Sequence, residues 1–486
     1  MLEGLEISIK QFSELSNVVD DTLRIDAEHY HRKYELIDEA ITGKKYCALR
    51  DLLAMPVITG HTPSMKVERF YGGDIRFVKT DNLRENKIVD VFTDYLTVEG
   101  NEEIKSSALE ADDVIVTIIG ATFDVVGRSA IVRDSHLPAN INQNIALIRP
   151  DKTKINPTYL NAYLNTKYGR GSLHHHSRQT EQVNLNCREV ERVLVPLFKQ
   201  LETGIETLST KADKAAEKAA LFYAQAEALL LDTLGMADFS PSTESVNVKS
   251  FSESFAATGR LDAEYYQPKY EDYERAVLNH SSGFTTIVAE FDLVKETSQR
   301  EKSAYNYIEI GDVSASDGAA SFNRLNASEL PANAKQEVRR GDLLISKVRP
   351  NRGAVAIIDF DDTDLIVSGA FTVLREKTDS VFSNETLKVL LRTKIYRDWM
   401  LKFNIGTQYP VIRDDDILNL PIPLIDDETQ TKISALVKES FSLKTESERL
   451  LDVAKRAVEI AIEQDENAAL DWLLKMAPAK AIQPNG

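Results

Sequence analysis

Two long stretches of the chain carry apolar residues at alternating four- and three-residue steps. In the first, Leu201, Ile205, Leu208, Ala212, Ala215, Ala219, Phe222, Ala226 and Leu229 form a heptad seam, which predicts a helix over 198–235 about 55 Å long. In the second, Ile433, Leu436, Leu443, Leu450, Ala454, Ala457 and Ala461, with Ser440 and Ser447 as polar gaps, predict a helix from about Glu428 to Gln464. Alanine-rich seams can approach closely, so a coiled coil between the two helices is expected.

Ahead of each helix the pattern shortens to β-branched runs broken by Gly, Asn, Asp and Pro, the mark of a mostly β domain. The first block contains Ile75–Lys79, Val114–Ile119, Ser129–Val132 and Ile145–Ile148, then one helix over Pro157–Tyr168. The second contains Tyr307–Ile310, Asp342–Ser346, Ala354–Ile358 and Phe371–Leu374, then a helix over Glu385–Leu401. At the N-terminus Leu5–Ile9 reads as a strand, and Tyr30, Tyr34, Ile37 and Ile41 fall at helical spacing before Gly43. The expected organisation is an N-terminal segment (1–43), a first domain (44–197), a first helix (198–235), a linker and junction (236–280), a second domain (281–424), a second helix (425–466) and a tail (467–486).

A repeat supports two matched halves. Arg24-Ile25-Asp26-Ala27-Glu28-His29-Tyr30 recurs 236 residues later as Arg260-Leu261-Asp262-Ala263-Glu264-Tyr265-Tyr266, and such self-similarity marks duplicated units. Arg24, Asp26, Glu28, Arg260, Asp262 and Glu264 are read as structural junction residues, because no nucleophile accompanies the carboxylates. Around them Asp113 aligns with Asp342, and Gly127–Val132 with Gly353–Ile358.

The net charge of −18 argues at first against nucleic acid, since duplex affinity comes largely from cations neutralising phosphates. Its distribution changes that. Residues 44–197 hold 20 basic and 19 acidic side chains and residues 281–424 hold 18 and 21, so the acidity lies in the connecting segments. No apolar run reaches the ~18 residues of a membrane span, and nothing resembles a signal peptide, so a cytoplasmic protein is expected. Cys47 and Cys187 read as reduced thiols.

The chain resembles the specificity subunits of type I restriction-modification systems. The residues that carry this are Gly60-His61-Thr62-Pro63-Ser64, Tyr71–Thr80 and Asn140–Ala146 in the first half, and Ile308–Val313, Gly341–Ser346 and Leu418–Pro423 in the second. The resemblance implies an α+β fold with two pseudo-repeated, mostly β target recognition domains joined by two long antiparallel helices. It also implies double-stranded DNA and methyltransferase subunits, two in number, as partners, with restriction subunits where the system cuts. No cofactor and no metal is expected.

Bases are read in the major groove by Arg or Lys on guanine and Asn or Gln on adenine, from polar loops held on a scaffold. The candidates are His61, Thr62, Lys79, Asn82, Arg84, Asn142, Gln143, Arg178, Gln179 and Gln182 in the first domain. In the second they are Arg300, Lys302, Lys347, Arg349, Asn351, Arg352, Gln408 and Tyr409. Asn142 and Gln143 also fit a turn that satisfies backbone groups. His174-His175-His176 lacks further ligands at metal spacing and reads as a cluster at a helix end. No phosphate-binding Gly-rich loop, zinc-protease motif or nucleophile elbow occurs. Two readings stand: a non-catalytic DNA-recognition subunit, and a coiled-coil scaffold whose β domains do not bind DNA.

Overall fold

The computed structural model describes residues 27–89, 92–179 and 182–476. The strand expected at Leu5–Ile9 and the residues Arg24 and Asp26 lie outside them. The chain divides into two compact units, Met1–Ala215 with Thr445–Gly486, and Ala216–Lys444.

In the first unit the central sheet is antiparallel, in the order Ile58–Thr59, Ile145–Ile148, Val114–Thr117, Ser129–Ile131. Its β-branched strands are buried on both faces, which explains their near-continuous apolar runs. A second sheet sets Tyr71–Val78 parallel to Ala139–Ile141 and antiparallel to Tyr95–Leu96. Tyr46–Ala48 pairs with Leu194–Pro196, so the block opens and closes on one ladder.

The single helix expected over Pro157–Tyr168 is instead two, Pro157–Leu164 and Lys167–His176. The break is Thr166, whose hydroxyl accepts from Gly169 N at 3.0 Å and starts a new helix.

The second unit has an antiparallel sheet in the order Phe291–Leu293, Phe371–Glu376, Leu343–Ser346, Val355–Ile357. A mixed sheet sets Ala304–Ile308 parallel to Leu365–Ser368. Phe284–Thr286 pairs with Pro421–Pro423. The expected Glu385–Leu401 helix likewise splits, into Asn384–Arg392 and Lys394–Trp399, at a threonine cap, Thr393.

Both long helices form, over Lys199–Thr233 and Asp427–Glu463, and they fit a coiled coil. Within the first unit, Leu201, Ile205, Leu208 and Ala212 share a core with Leu450, Ala454, Ala457 and Ala461. Within the second, Ala226 and Leu230 share one with Ile433 and Val437, and Ser440 Oγ donates to Ala219 O at 2.7 Å.

Two segments are more ordered than the sequence suggests. Glu466–Met476, expected as tail, is a helix whose Glu466 accepts from the N–H groups of Gln200 and Leu201 at 2.7 and 3.0 Å. The linker is tied down where Asn247 donates to Tyr266 O and Glu271, and Lys249 pairs with Glu271 at 2.6 Å.

Candidate nucleic-acid interface

In the second unit the turn after Leu343–Ser346 carries most of the candidates. Ser346 Oγ donates to Val348 O, Lys347 N donates to Ala370 O, and the chain then lies against a second loop. Arg349 N donates to Pro410 O at 2.7 Å, Ile412 N to Lys347 O at 3.0 Å, and Val348 bridges Val411. The second loop is shaped by Asn404, whose Oδ1 accepts from Gly406 N and Val411 N.

This pairing gathers Arg349, Asn351, Arg352, Gln408 and Tyr409, all exposed. Arg349 is left-handed (φ 51°) and lays its guanidinium over the Tyr409 ring at 5.5 Å, leaving the planar fork available for a ligand. Lys347 sits at the base, paired with Asp414 at 3.0 Å. Arg300 and Lys302 belong to another loop. Arg300 donates to the carbonyls of Pro331 and Ala334, and Lys302 pairs with Asp364.

The junction phrase reaches this site. Arg260 forms a bidentate pair with Asp262 (2.8 and 2.6 Å), stacks on Tyr265 and donates to Asn404 O at 2.9 Å. The Arg260 hydrogen bonds hold the Asp262 carboxyl below its ordinary range. Glu264 accepts from Gln267. In the first copy Glu28 pairs with Lys33 at 2.8 Å, and that bond lowers its pKa.

The first unit brings its candidates together in three groups. Thr62 donates to Gln143, and both are exposed, as is His61. Gly60 leaves no room for a side chain, since a Cβ there would lie 2.0 Å from Ile141 O. Lys79 pairs with Asp94. Asn142 is buried and its Oδ1 accepts from Asn144 N, so it serves the turn. Asn82, 4% exposed, likewise accepts from Lys79 N. These two amides and the Arg300 fork are occupied by the protein's own backbone.

The second group follows Val114–Thr117. Here Ile119–Gly120 pairs with Val183–Asn184, which pairs with Arg178–Gln179. Arg178 is held by Glu189 at 2.8 Å, and Gln182 is exposed. The third is a cation cluster of Arg84, Arg128 and Arg170. Burial first, and then Arg84 and Arg170, lower the pKa of Arg128. Its Nε donates to Asp124 O at 2.8 Å, and Arg170 donates to the same carbonyl.

In the histidine run His174 donates to Val126 O at 2.8 Å and burial lowers its pKa, while His175 stacks on Tyr34. Among the described residues no group of three His, Cys, Asp or Glu could hold a metal.

Four arginines went unnoticed in the sequence. Arg128 and Arg170 line the first loop. Arg392 donates to Gly353 O at 2.5 Å and to Tyr223 Oη at 2.7 Å, fixing the second loop from below. Arg397 packs under Gly353. The signal was the shared Thr166-Lys167-x-x-Arg170 and Thr393-Lys394-x-x-Arg397.

Residues 287–451, which frame this second site, match the type I restriction modification DNA specificity domain. The chain is similar in part to type I specificity subunits. It is 28% identical over 138 residues to the type I restriction enzyme HindI specificity subunit of Haemophilus influenzae, covering 27% of this chain and 30% of that protein. It is 30% identical over 95 residues to the EcoBI specificity subunit of Escherichia coli, covering 20% and 19%. The matched region thus spans under a third of each curated relative.

Among solved structures, the HsdS subunit from Thermoanaerobacter tengcongensis is 14% identical, with TM-score 0.28 over 87% of this chain and 97% of that one. A chain from a study of complex assembly and conformational transition in the type I R-M system is 13% identical, with TM-score 0.26 over 88% and 97%.

Proposed function

We propose that the chain is a DNA sequence-specificity subunit. Residues 44–197 and 281–424 each read one half of a bipartite duplex target, and the two long helices, antiparallel, space them. Two methyltransferase subunits, and restriction subunits where the system cuts, perform the chemistry, while this chain contributes recognition in the cytoplasm. No helix among the described residues is long and apolar enough to cross a membrane.

The observation that carries this reading is the pairing of polar loops at the end of a buried sheet. Arg349, Asn351, Arg352, Gln408 and Tyr409 combine guanidinium forks, amides and an aromatic face on one exposed edge, a set that duplex binding uses with the forks on phosphates and the amides on base edges. In the first domain the same role falls to His61, Thr62, Gln143, Arg178, Gln179 and Gln182, with Lys79 and Arg84 on phosphates.

Exchanging residues 44–197 for the block of another family member should change one half-site in methylation-aware sequencing and leave the other intact. A change in both, or in neither, would overturn the modular reading. The net charge of −18 favours a second reading, a scaffold that binds no DNA. A salt-titrated binding assay, on the chain alone and with its methyltransferase partner, separates the two, because a scaffold binds no duplex in either state.

A further inference from the structure

Each recognition loop ends on a glycine in the left-handed region, Gly127 (φ 86°) and Gly353 (φ 76°), and each glycine rests on an arginine. A Cβ on Gly127 would lie 3.4 Å from Arg170 Cγ, and one on Gly353 would lie 2.8 Å from Arg397 Cδ. Both arginines occupy the fourth position after a capping threonine, Thr166 and Thr393. The stem of the side chain is thus packed under the loop, and the charge is held beside it.

Each loop has three arginines on or against it: Arg84 and Arg170 near Arg128 in the first domain, and Arg349 and Arg352 on the turn before Gly353 with Arg397 beneath it in the second. Their carboxylate neighbours are fewer than the cations: Asp124 and Glu85 lie near Arg128, and Glu227 lies near Arg397. Among the described residues Arg84 donates only to its neighbour's carbonyl, Leu83 O, and Arg128 to Asp124 O. Arg170 has Glu85 at 3.5 Å, but Glu85 also takes Lys455 at 2.6 Å. Among the described residues the Arg349 side chain has only the Tyr409 ring. Arg397 Nε is buried without a hydrogen-bond partner among the described residues. In a chain of net charge −18, triads short of their own acids call for an external anion.

We infer that each arginine triad binds a phosphodiester of the duplex backbone, with Arg170 and Arg397 as the matched inner anchors that fix their recognition loops on the DNA. The inference rests on the DNA-recognition reading above. Phosphate contacts set register and orientation without carrying sequence information.

The test is a salt titration of duplex binding by the full chain with its methyltransferase partner, for wild type, Arg170→Gln and Arg397→Gln. Each lost phosphate contact lowers the slope of log K against log salt by about 0.9. Between 50 and 200 mM salt each variant should therefore lose roughly 3.5-fold less affinity than wild type. The methylated sequence should stay the same, and Arg→Lys variants should keep the wild-type slope.

Arg84→Gln and Arg352→Gln, on exposed side chains, supply the same readout if the inner substitutions impair folding in a thermal melt. Unchanged slopes in all the Gln variants, or a changed target sequence, would overturn the inference while wild type still binds. If wild type binds no duplex, the DNA-recognition reading itself has failed.

Discussion

Asp342 is 1% exposed and sits where the strand Leu343–Ser346 begins. Its Oδ1 accepts from Arg375 Nε at 2.7 Å, and its Oδ2 from Arg375 Nη2 at 2.9 Å and from Arg339 N at 2.9 Å. Asp342→Ala removes all three bonds. It leaves the Arg339 N–H unpaired and strips Arg375 of its bidentate partner, keeping only the exposed Glu296 at 2.7 Å. Breaking one side of a buried pair costs about 3–5 kcal/mol, and Glu296 offsets part of it, so about 3 kcal/mol is expected. For a unit of this size that lowers the melting temperature by roughly 6–12 °C.

Calorimetry of wild type and variant, with Arg375→Met as the reciprocal change, measures it. Asp113→Ala should act alike, because Asp113 accepts from Arg149 Nε and Nη2 at 2.8 Å and from Glu110 N at 2.7 Å. A loss under about 1 kcal/mol at both sites would refute the reasoning. It would mean that these pairs behave as solvated surface bridges and do not fix the strand.

Three further outcomes are expected. Gly353→Ala should cost more than Gly341→Ala: both are left-handed (φ 76° and 91°), a strain of about 1–2 kcal/mol, but only at Gly353 does the new Cβ meet Arg397. Thermal melts decide this. Arg260→Ala should free Asn404 O and loosen the 404–411 loop, at about 1.5–3 kcal/mol, seen as faster proteolysis of that loop. His174 has a pKa lowered from 6.5 by burial, so protonation favours the unfolded chain. Stability should be flat above pH 6.5 and fall below it until the depressed folded pKa is passed, with a slope of at most ~1.4 kcal/mol per pH unit. That component should vanish in His174→Asn.

The heptad seams, the β texture of both blocks and the duplicated phrase were legible in the sequence because periodicity and repetition are local properties. Leu201, Ile205, Leu208, Ala212, Ala215, Ala219 and Ala226 are all buried as their spacing requires, and Ser440, a polar gap, bonds across the seam. Helix breaks at Thr166 and Thr393 were missed because the apolar pattern runs through them, while a hydroxyl that caps the next turn overrides it.

The candidate site was legible only as residue types. Arg349 and Tyr409 are 60 residues apart in sequence, and only the ladder between their loops sets one over the other. Asn82, Asn142 and Arg300 have the chemistry of base readers, yet tertiary structure turns them to backbone groups that would otherwise be buried without partners. Arg170 and Arg397 look like ordinary helix-surface cations until the fold sets each beneath a loop glycine. The sequence by itself determined the two long helices, the β texture of both blocks and the duplicated phrase. Which cations are paired within the protein and which stay exposed was decided by the tertiary structure, because that depends on partners brought from distant parts of the chain.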